Sequence, residues 1–345
     1  MRSCVWGLVL SLFVSGVSSL VGQSHCIPVV ARDPAPKPLA NFSHILQEAQ
    51  ENNPDAQLQA GWAFEAGVGV AVDYVQAAFW YRRAADNGNP AAQTNLATLY
   101  ARGLGVARDD MQAVKWNMRA AADGYPPAQT NVGLLYARGR GVPKSDADAI
   151  LWYRKAADKG YAPAQTNLGL MYAEGRGTLQ DERAAIRWYR LAAEHGYALA
   201  EVNLGMAYFR RGNAHDLAEA VKWFGKAAAQ GSPLAQHQLA LAYERGLGVT
   251  QDYGMALRWY AKAAEQGLPE AQNAIGLMYS LGRGTPRNQV LADEWFAKAA
   301  AAEETSAEDS STSSPPATQL QPARSDETDE TKVGAARVEL PSRRN

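Results

Sequence analysis

The chain has 345 residues, 47% of them apolar and 20% charged, with a formal net charge of −1 and two cysteines. That is the balance of an ordinary folded, water-soluble protein, and two cysteines are too few for a disulfide framework. The segment after Ala301 holds nine acidic and five basic residues, which leaves a formal +3 on the remainder. So small an excess leaves no nucleic-acid footprint.

Residues 1–22 open with Arg2, continue as an apolar run from Val5 to Val17 and end in small residues. They read as a signal peptide whose core is short for a membrane span, with cleavage expected after Ser19 or Gly22. An uncleaved anchor is the alternative, and membrane contact is otherwise expected only through a partner. Cys26 follows Gln23-Ser24-His25, which is no lipid-attachment pattern. Cleavage would remove Cys4 and leave Cys26 alone, so no intrachain disulfide is expected. Residues 23–40, with Pro28, Pro34, Pro36 and Pro38, read as a linker. Residues 41–53 read as a lone helix that caps whatever follows.

From residue 54 the chain is periodic. Trp80, Trp116, Trp152, Trp188, Trp223, Trp259 and Trp295 are spaced by 36 residues, except for one interval of 35. A period in this range marks stacked supersecondary units. Each unit predicts two helices. Helix A opens at an Ala-Gln or Ala-Glu pair such as Ala92-Gln93, usually with proline just upstream, where its fixed φ suits a first turn. Five residues on stands a small residue (Gly61, Ala97, Gly133, Gly169, Gly205, Ala240, Gly276), which predicts close approach of another helix. Eight residues on stands an aromatic, from Phe64 and Tyr100 to Tyr208 and Tyr279, read as core. Gly-x-Gly, as in Gly103-Leu104-Gly105, then turns the chain into helix B.

Helix B carries the tryptophan. Ala113, Trp116, Asn117 and Ala120 show its i, i+3, i+4, i+7 stripe, with the tryptophans expected to lock the core. The residue after each tryptophan is aromatic except at Asn117. Asp73, Asp109, Ser145, Asp181, Asp216, Asp252 and Asn288 stand where an N-cap is needed. Gly88, Gly124, Gly160, Gly196, Gly231 and Gly267 stand at the left-handed C′ position; the seventh copy has none.

The pattern A-x-x-x-L-G-x-x-Y-x-x-G-x-G, then D, then A-x-x-W-Y-x-x-A-A-x-x-G resembles the Sel-one-like repeat, a longer-period relative of the tetratricopeptide repeat. Leu168-Gly169 through Tyr172, Gly175-Arg176-Gly177, Trp188-Tyr189 and Ala192-Ala193 form a close instance. The resemblance covers residues 54–301 in seven copies. It implies an all-α, right-handed α/α solenoid that acts as an adaptor in protein complexes, in bacteria often in the envelope. Some secreted members staple each repeat with a cysteine pair; this chain lacks those cysteines, so its stability must come from stacking.

The fifth copy departs from the pattern. It reads Phe209-Arg210-Arg211-Gly212-Asn213-Ala214-His215-Asp216, one residue short and without Gly-x-Gly, which predicts a different turn. Residues 302–345 are rich in Ser, Thr, Pro and Glu and read as a disordered tail.

Catalytic chemistry is poorly represented. The five histidines have no metal-ligand spacing, and His215 and His237 read as surface residues. No G-x-S-x-G, Walker A or H-E-x-x-H motif occurs. No cofactor, metal site or catalytic residue is expected. The recurring candidates lie on helix A. Three residues after its Ala come Gln59, Asn95, Asn131, Asn167, Asn203, Gln238 and Ala274. Ten after it come Ala66, Arg102, Arg138, Glu174, Arg210, Arg245 and Leu281. Stacking turns Asn95, Asn131, Asn167 and Asn203 into a stripe of amides beside the arginines Arg102, Arg138, Arg210 and Arg245. Asparagine can bond both a donor and an acceptor of an extended peptide, and arginine can grip a carboxylate. The bland alternatives are bonds between neighbouring helices for the asparagines and a solvated face for the arginines. The expected function is a non-enzymatic periplasmic or secreted scaffold that binds a protein or peptide on its concave face, not a nucleic acid. An envelope hydrolase acting on cell-wall material and an adaptor of the endoplasmic reticulum lumen are the other readings.

Overall fold

A computed structural model describes residues 42–312, with side chains through Glu304. The expected signal peptide, the linker, both cysteines and the tail beyond Thr312 lie outside the described residues. Among those residues there are fifteen α-helices and no strand. Helix α1 (Phe42–Gln50) lies within the segment 41–53 and packs on α2. The A helices are α2 (Pro54–Ala66), α4 (Pro90–Arg102), α6 (Pro126–Arg138), α8 (Ala162–Glu174), α10 (Ala198–Arg211), α12 (Pro233–Arg245) and α14 (Pro269–Leu281). The B helices are α3 (Tyr74–Asp86), α5 (Asp110–Ala122), α7 (Asp146–Ala157), α9 (Glu182–Glu194), α11 (Ala214–Ala229), α13 (Tyr253–Glu265) and α15 (Gln289–Thr312). The repeats belong to a compact unit that ends at Ala302; a second unit starts at Glu303, of which 303–312 are helical. Helix therefore continues past the expected boundary at Ala301. The run Ala299–Glu304 consists of strong helix formers, and no glycine stops it.

Consecutive helices pack antiparallel along the chain, as a solenoid of helix pairs. Successive A helices also meet directly, α4 with α6, α6 with α8 and α8 with α10. This closer approach puts the A helices on the inner side of the stack.

Local chemistry explains most helix ends. Asp73, Asp109, Ser145, Asp181 and Asp252 each accept a backbone N–H of their first turn, as expected. In the fifth repeat Asn213 takes the N-cap instead of Asp216 and accepts the amide of Asp216 at 3.0 Å. Asp216 is buried inside the first turn, where Arg211 Nε lies 3.0 Å from its carboxylate. Against the opposing effect of burial, the Asn213 and His215 hydrogen bonds, and then the Arg211 charge, hold its pKa below the usual value. The turn after α10 is simply shorter: Gly212, at φ 69°, ends the helix and Ala214 starts the next.

In five of the seven B helices the deeper large side chain is not the tryptophan but its neighbour. Tyr81, Tyr153, Tyr189, Phe224 and Tyr260 are at most 3% exposed. Trp80 and Trp116 are also buried, whereas Trp152, Trp188, Trp223, Trp259 and Trp295 are only half-buried. The ammonium groups of Lys155, Lys226, Lys262 and Lys298 cover the outer faces of four of these five indoles. The small residue of helix A exists for the deeper ring: a Cβ at Gly133 would lie 2.7 Å from Tyr153, and one at Gly169 equally close to Tyr189.

A second repeating bond was not legible beforehand. Gln93, Gln129, Gln165, Gln236 and Gln272 are buried and donate to the carbonyl of the second Ala of the preceding B helix, as Gln93 does to Ala85 at 3.1 Å, and Gln57 likewise donates to Ala49 of α1. The fifth repeat has Glu201 here, equally buried, accepting from Gln230 at 2.8 Å. Burial raises its pKa, with Lys226 and the Gln230 bond opposing.

Tyr208 is buried and Tyr100, Tyr136 and Tyr172 half-buried, and the hydroxyls of Tyr100, Tyr172 and Tyr208 accept from Arg82, Arg154 and Arg190 of the preceding B helix. His237 is not the surface residue expected. It packs against the Tyr260 ring with centroids 5.4 Å apart, and burial pushes its pKa down to about 4, with Arg245 adding to the effect.

Candidate partner-binding site

The A helices carry both candidate rows on the inner side of the stack. Asn131 is buried, and Asn95, Asn167 and Asn203 are half-buried. Asn131 Nδ2 donates to Asn117 Oδ1 of the preceding B helix at 3.4 Å. A bond between neighbouring helices thus forms once and does not run along the row. Arg102, Arg210 and Arg245 are exposed and Arg138 is half-buried. The row is interrupted at Glu174, which pairs with Arg176 at 3.6 Å.

The structure brings only part of these rows together. Arg102, Arg138 and Asn131 line one cavity of about 210 Å³ at the junction of α4, α5 and α6. Asn117 stands in its wall, with Ala97, Ala101, Ala113, Leu134 and Leu135 supplying apolar surface. Arg140 closes one side. Its guanidinium donates to the Ala101 carbonyl at 2.9 Å and pairs with Asp110, so it is committed to the fold. Arg102 and Arg138 form no ion pair with any described residue. Asn167 lines a different and much smaller space; Asn95, Asn203, Arg210 and Arg245 do not line this cavity.

The smaller space is the same place one repeat later. Leu134, Ala137, Tyr153, Asn167, Leu170, Met171 and Arg176 lie 36 positions after Thr98, Ala101, Asn117, Asn131, Leu134, Leu135 and Arg140. Its volume is only about 10 Å³. The substitution that separates them is at the residue after the tryptophan. Tyr153 fills the second space with a ring that is 3% exposed. Asn117 is shorter, and its Nδ2 turns back to its own helix, donating to Ala113 at 3.0 Å. The signal was present in the sequence as the one break in the aromatic column, but its volume was not.

Among the described residues no three His, Cys, Asp or Glu side chains converge to hold a metal ion, and no helix is long and apolar enough to cross a membrane. Chemically, the site offers an apolar recess, two amides and two guanidinium groups that pair with no described carboxylate. Such an arrangement is chemically suited to a group that combines carbon and negative charge.

Comparison with known proteins gives one consistent result. The Sel1 repeat sequence model matches residues 54–89, 90–125, 126–161, 162–197, 198–232, 233–268 and 269–303. A solved Sel1 repeat protein from Oxalobacter formigenes is 36% identical with a TM-score of 0.59, over 85% of this chain and 84% of that one. The protective antigen c5321 of uropathogenic Escherichia coli, described as displaying an SLR fold, is 32% identical with a TM-score of 0.45, over 78% of this chain and 67% of that one. Among curated proteins none matches.

Proposed function

The chain belongs to the Sel1 repeat family, a general protein-interaction scaffold, and from that premise we propose that it is a non-enzymatic adaptor holding a partner protein or peptide along the inner face of its stack. The observation that carries this reading is that Arg102 and Arg138 line one inner-face cavity and form no ion pair with any described residue. Two like charges held side by side gain nothing from each other, whereas a partner of opposite charge gives them a function. A periplasmic or secreted setting is part of the proposal, supported by Arg2 and the apolar run from Val5 to Val17.

Cross-linking of the full chain in cells, followed by identification of what it captures, tests the reading. The double variant Arg102→Glu, Arg138→Glu should fold, lose most of the captured partner and associate with the remainder more slowly at low salt. Capture of the same partner at the same yield would assign the arginines to plain solvated surface. Fractionation of cells expressing the full chain should place it outside the cytoplasm; retention in the cytosol overturns that part.

A further inference from the structure

We propose that the cavity at the junction of α4, α5 and α6 is a socket for the C-terminal residue of a partner, an aromatic side chain with its free α-carboxylate. The proposal rests on the adaptor reading and names the chemistry it would recognise.

The size of the socket points to the ring. At the equivalent place one repeat later the space falls from about 210 Å³ to about 10 Å³, and the group that fills it is the Tyr153 side chain. The repeat geometry therefore prepares room for an aromatic ring at every junction, and Asn117 leaves that room open at one. The lining from Ala97, Ala101, Ala113, Leu134 and Leu135 is the apolar surface such a ring wants.

Charge points to the carboxylate. Elsewhere the buried tyrosines Tyr81 and Tyr260 donate their hydroxyls to Glu65 at 2.7 Å and Glu244 at 2.8 Å. The position that supplies those acids is Ala101 here, 16 residues before Asn117. The charged groups lining this cavity are instead the guanidiniums of Arg102, Arg138 and Arg140, the last already bound to Asp110. Two guanidiniums with no ion pair among the described residues, beside a ring-sized apolar recess, match a group with a ring and a carboxylate on neighbouring atoms, as a terminal Phe or Tyr has. An internal aspartate or glutamate supplies the charge without the ring. The Asn117 and Asn131 amides add donors and acceptors for the terminal peptide unit.

The structure also contains the control. Tyr260 packs in α13 at 1% exposure against a helix A whose small residue is Ala240, the counterpart of Ala97. A tyrosine at 117 thus meets an alanine that the sixth repeat already accommodates. Fluorescence anisotropy with labelled hexapeptides ending in Phe, each as free acid and as carboxamide, tests the socket on the full chain. The free acid should bind about tenfold more tightly than the carboxamide. Asn117→Tyr should abolish binding while the melting temperature holds or rises. Arg138→Gln should weaken binding and erase the difference between acid and amide, which keeps the test decisive should Asn117→Tyr lower stability. Equal binding of acid and carboxamide, undiminished binding to Asn117→Tyr, or a preference for internal acidic peptides such as the chain's own Asp326–Glu330 segment would each overturn the socket. Cross-linked capture of a partner that persists in Asn117→Tyr would leave the adaptor standing and the socket refuted; loss of capture in the double arginine-reversed variant alone bears on the adaptor.

Discussion

Tyr153 and Trp152 sit side by side in α7, yet their removal should cost very different amounts. The Tyr153 ring is buried against Gly133, which has no side chain to collapse into the space. Tyr153→Ala should lower stability by about 3–5 kcal/mol. Trp152 is half-buried under the Lys155 ammonium, 3.7 Å from the ring centre. Its replacement by Ala should cost about 1–2 kcal/mol. Urea melts of the two variants should separate clearly; equal losses would return the tryptophan to the core. Glu201 gives a prediction of opposite sign. Its buried carboxylate stands where other repeats use a glutamine that donates to a helix carbonyl, and its pKa is raised above 4.5. The native state therefore holds the proton more tightly than the unfolded state, and stability falls as pH rises from about 4.5 through the folded pKa. Glu201→Gln should stabilise by about 1 kcal/mol at pH 7, with the gain shrinking towards pH 4. A gain independent of pH would mean that charge plays no part. His237 acts in the other direction. Its pKa is depressed to about 4, so stability is intact above 6.5 and lost as pH falls towards 4. His237→Thr, the residue at this place in the second, third and fourth repeats, should remove that acid sensitivity from thermal melts.

At the scale of helices and turns, glycines at similar dihedral angles are not equivalent. Gly141 and Gly160 have φ of 68° and 80°. A Cβ at Gly141 would come within 2.5 Å of the Asp110 carbonyl of the preceding repeat, whereas one at Gly160 meets nothing within 4 Å. Gly160→Ala should cost about 1 kcal/mol, the left-handed strain alone. Gly141→Ala must also push two repeats apart and should cost well over twice that; comparable urea midpoints would deny the close approach. Most of this architecture was legible because it is local. Caps, C′ glycines and the apolar stripe are set by residues within a turn of one another, and the 36-residue register multiplies each signal. What was not legible depends on neighbours. The stripe gave the buried face of each B helix, but only the packing of the A helix decided that Tyr153 and not Trp152 lies deepest. The cap fell to Asn213 and not Asp216 because the turn is one residue short, which leaves Asp216 inside the first turn with its carboxylate paired to Arg211. The amide and arginine rows were readable as rows; that only Asn131, Arg102 and Arg138 gather at one recess follows from a missing ring at Asn117.

Across the whole array, stability is a sum over neighbouring contacts, and those contacts are uneven. Between the second and third repeats Arg140 reaches back to Asp110 and Ala101, and between the third and fourth Arg176 does the same to Asp146 and Ala137. Gly141 and Gly177 press on the same backbone. At the next junction all of this is gone: Gly212 stands in the place of the arginine, and a Cβ on it would touch nothing but its own chain at 3.9 Å or more. Hydrogen exchange should resolve two protected blocks, one ending at the fourth repeat and one beginning at the fifth; uniform protection would show that the packing of α8 and α9 on α10 is enough to hold the junction. The shortened turn has a mechanical meaning as well. A string of like springs in series extends evenly, but one with a soft coil gives way there first. Held between two beads, the array should yield at the fourth and fifth repeats before any other place, which makes this junction its fuse under load.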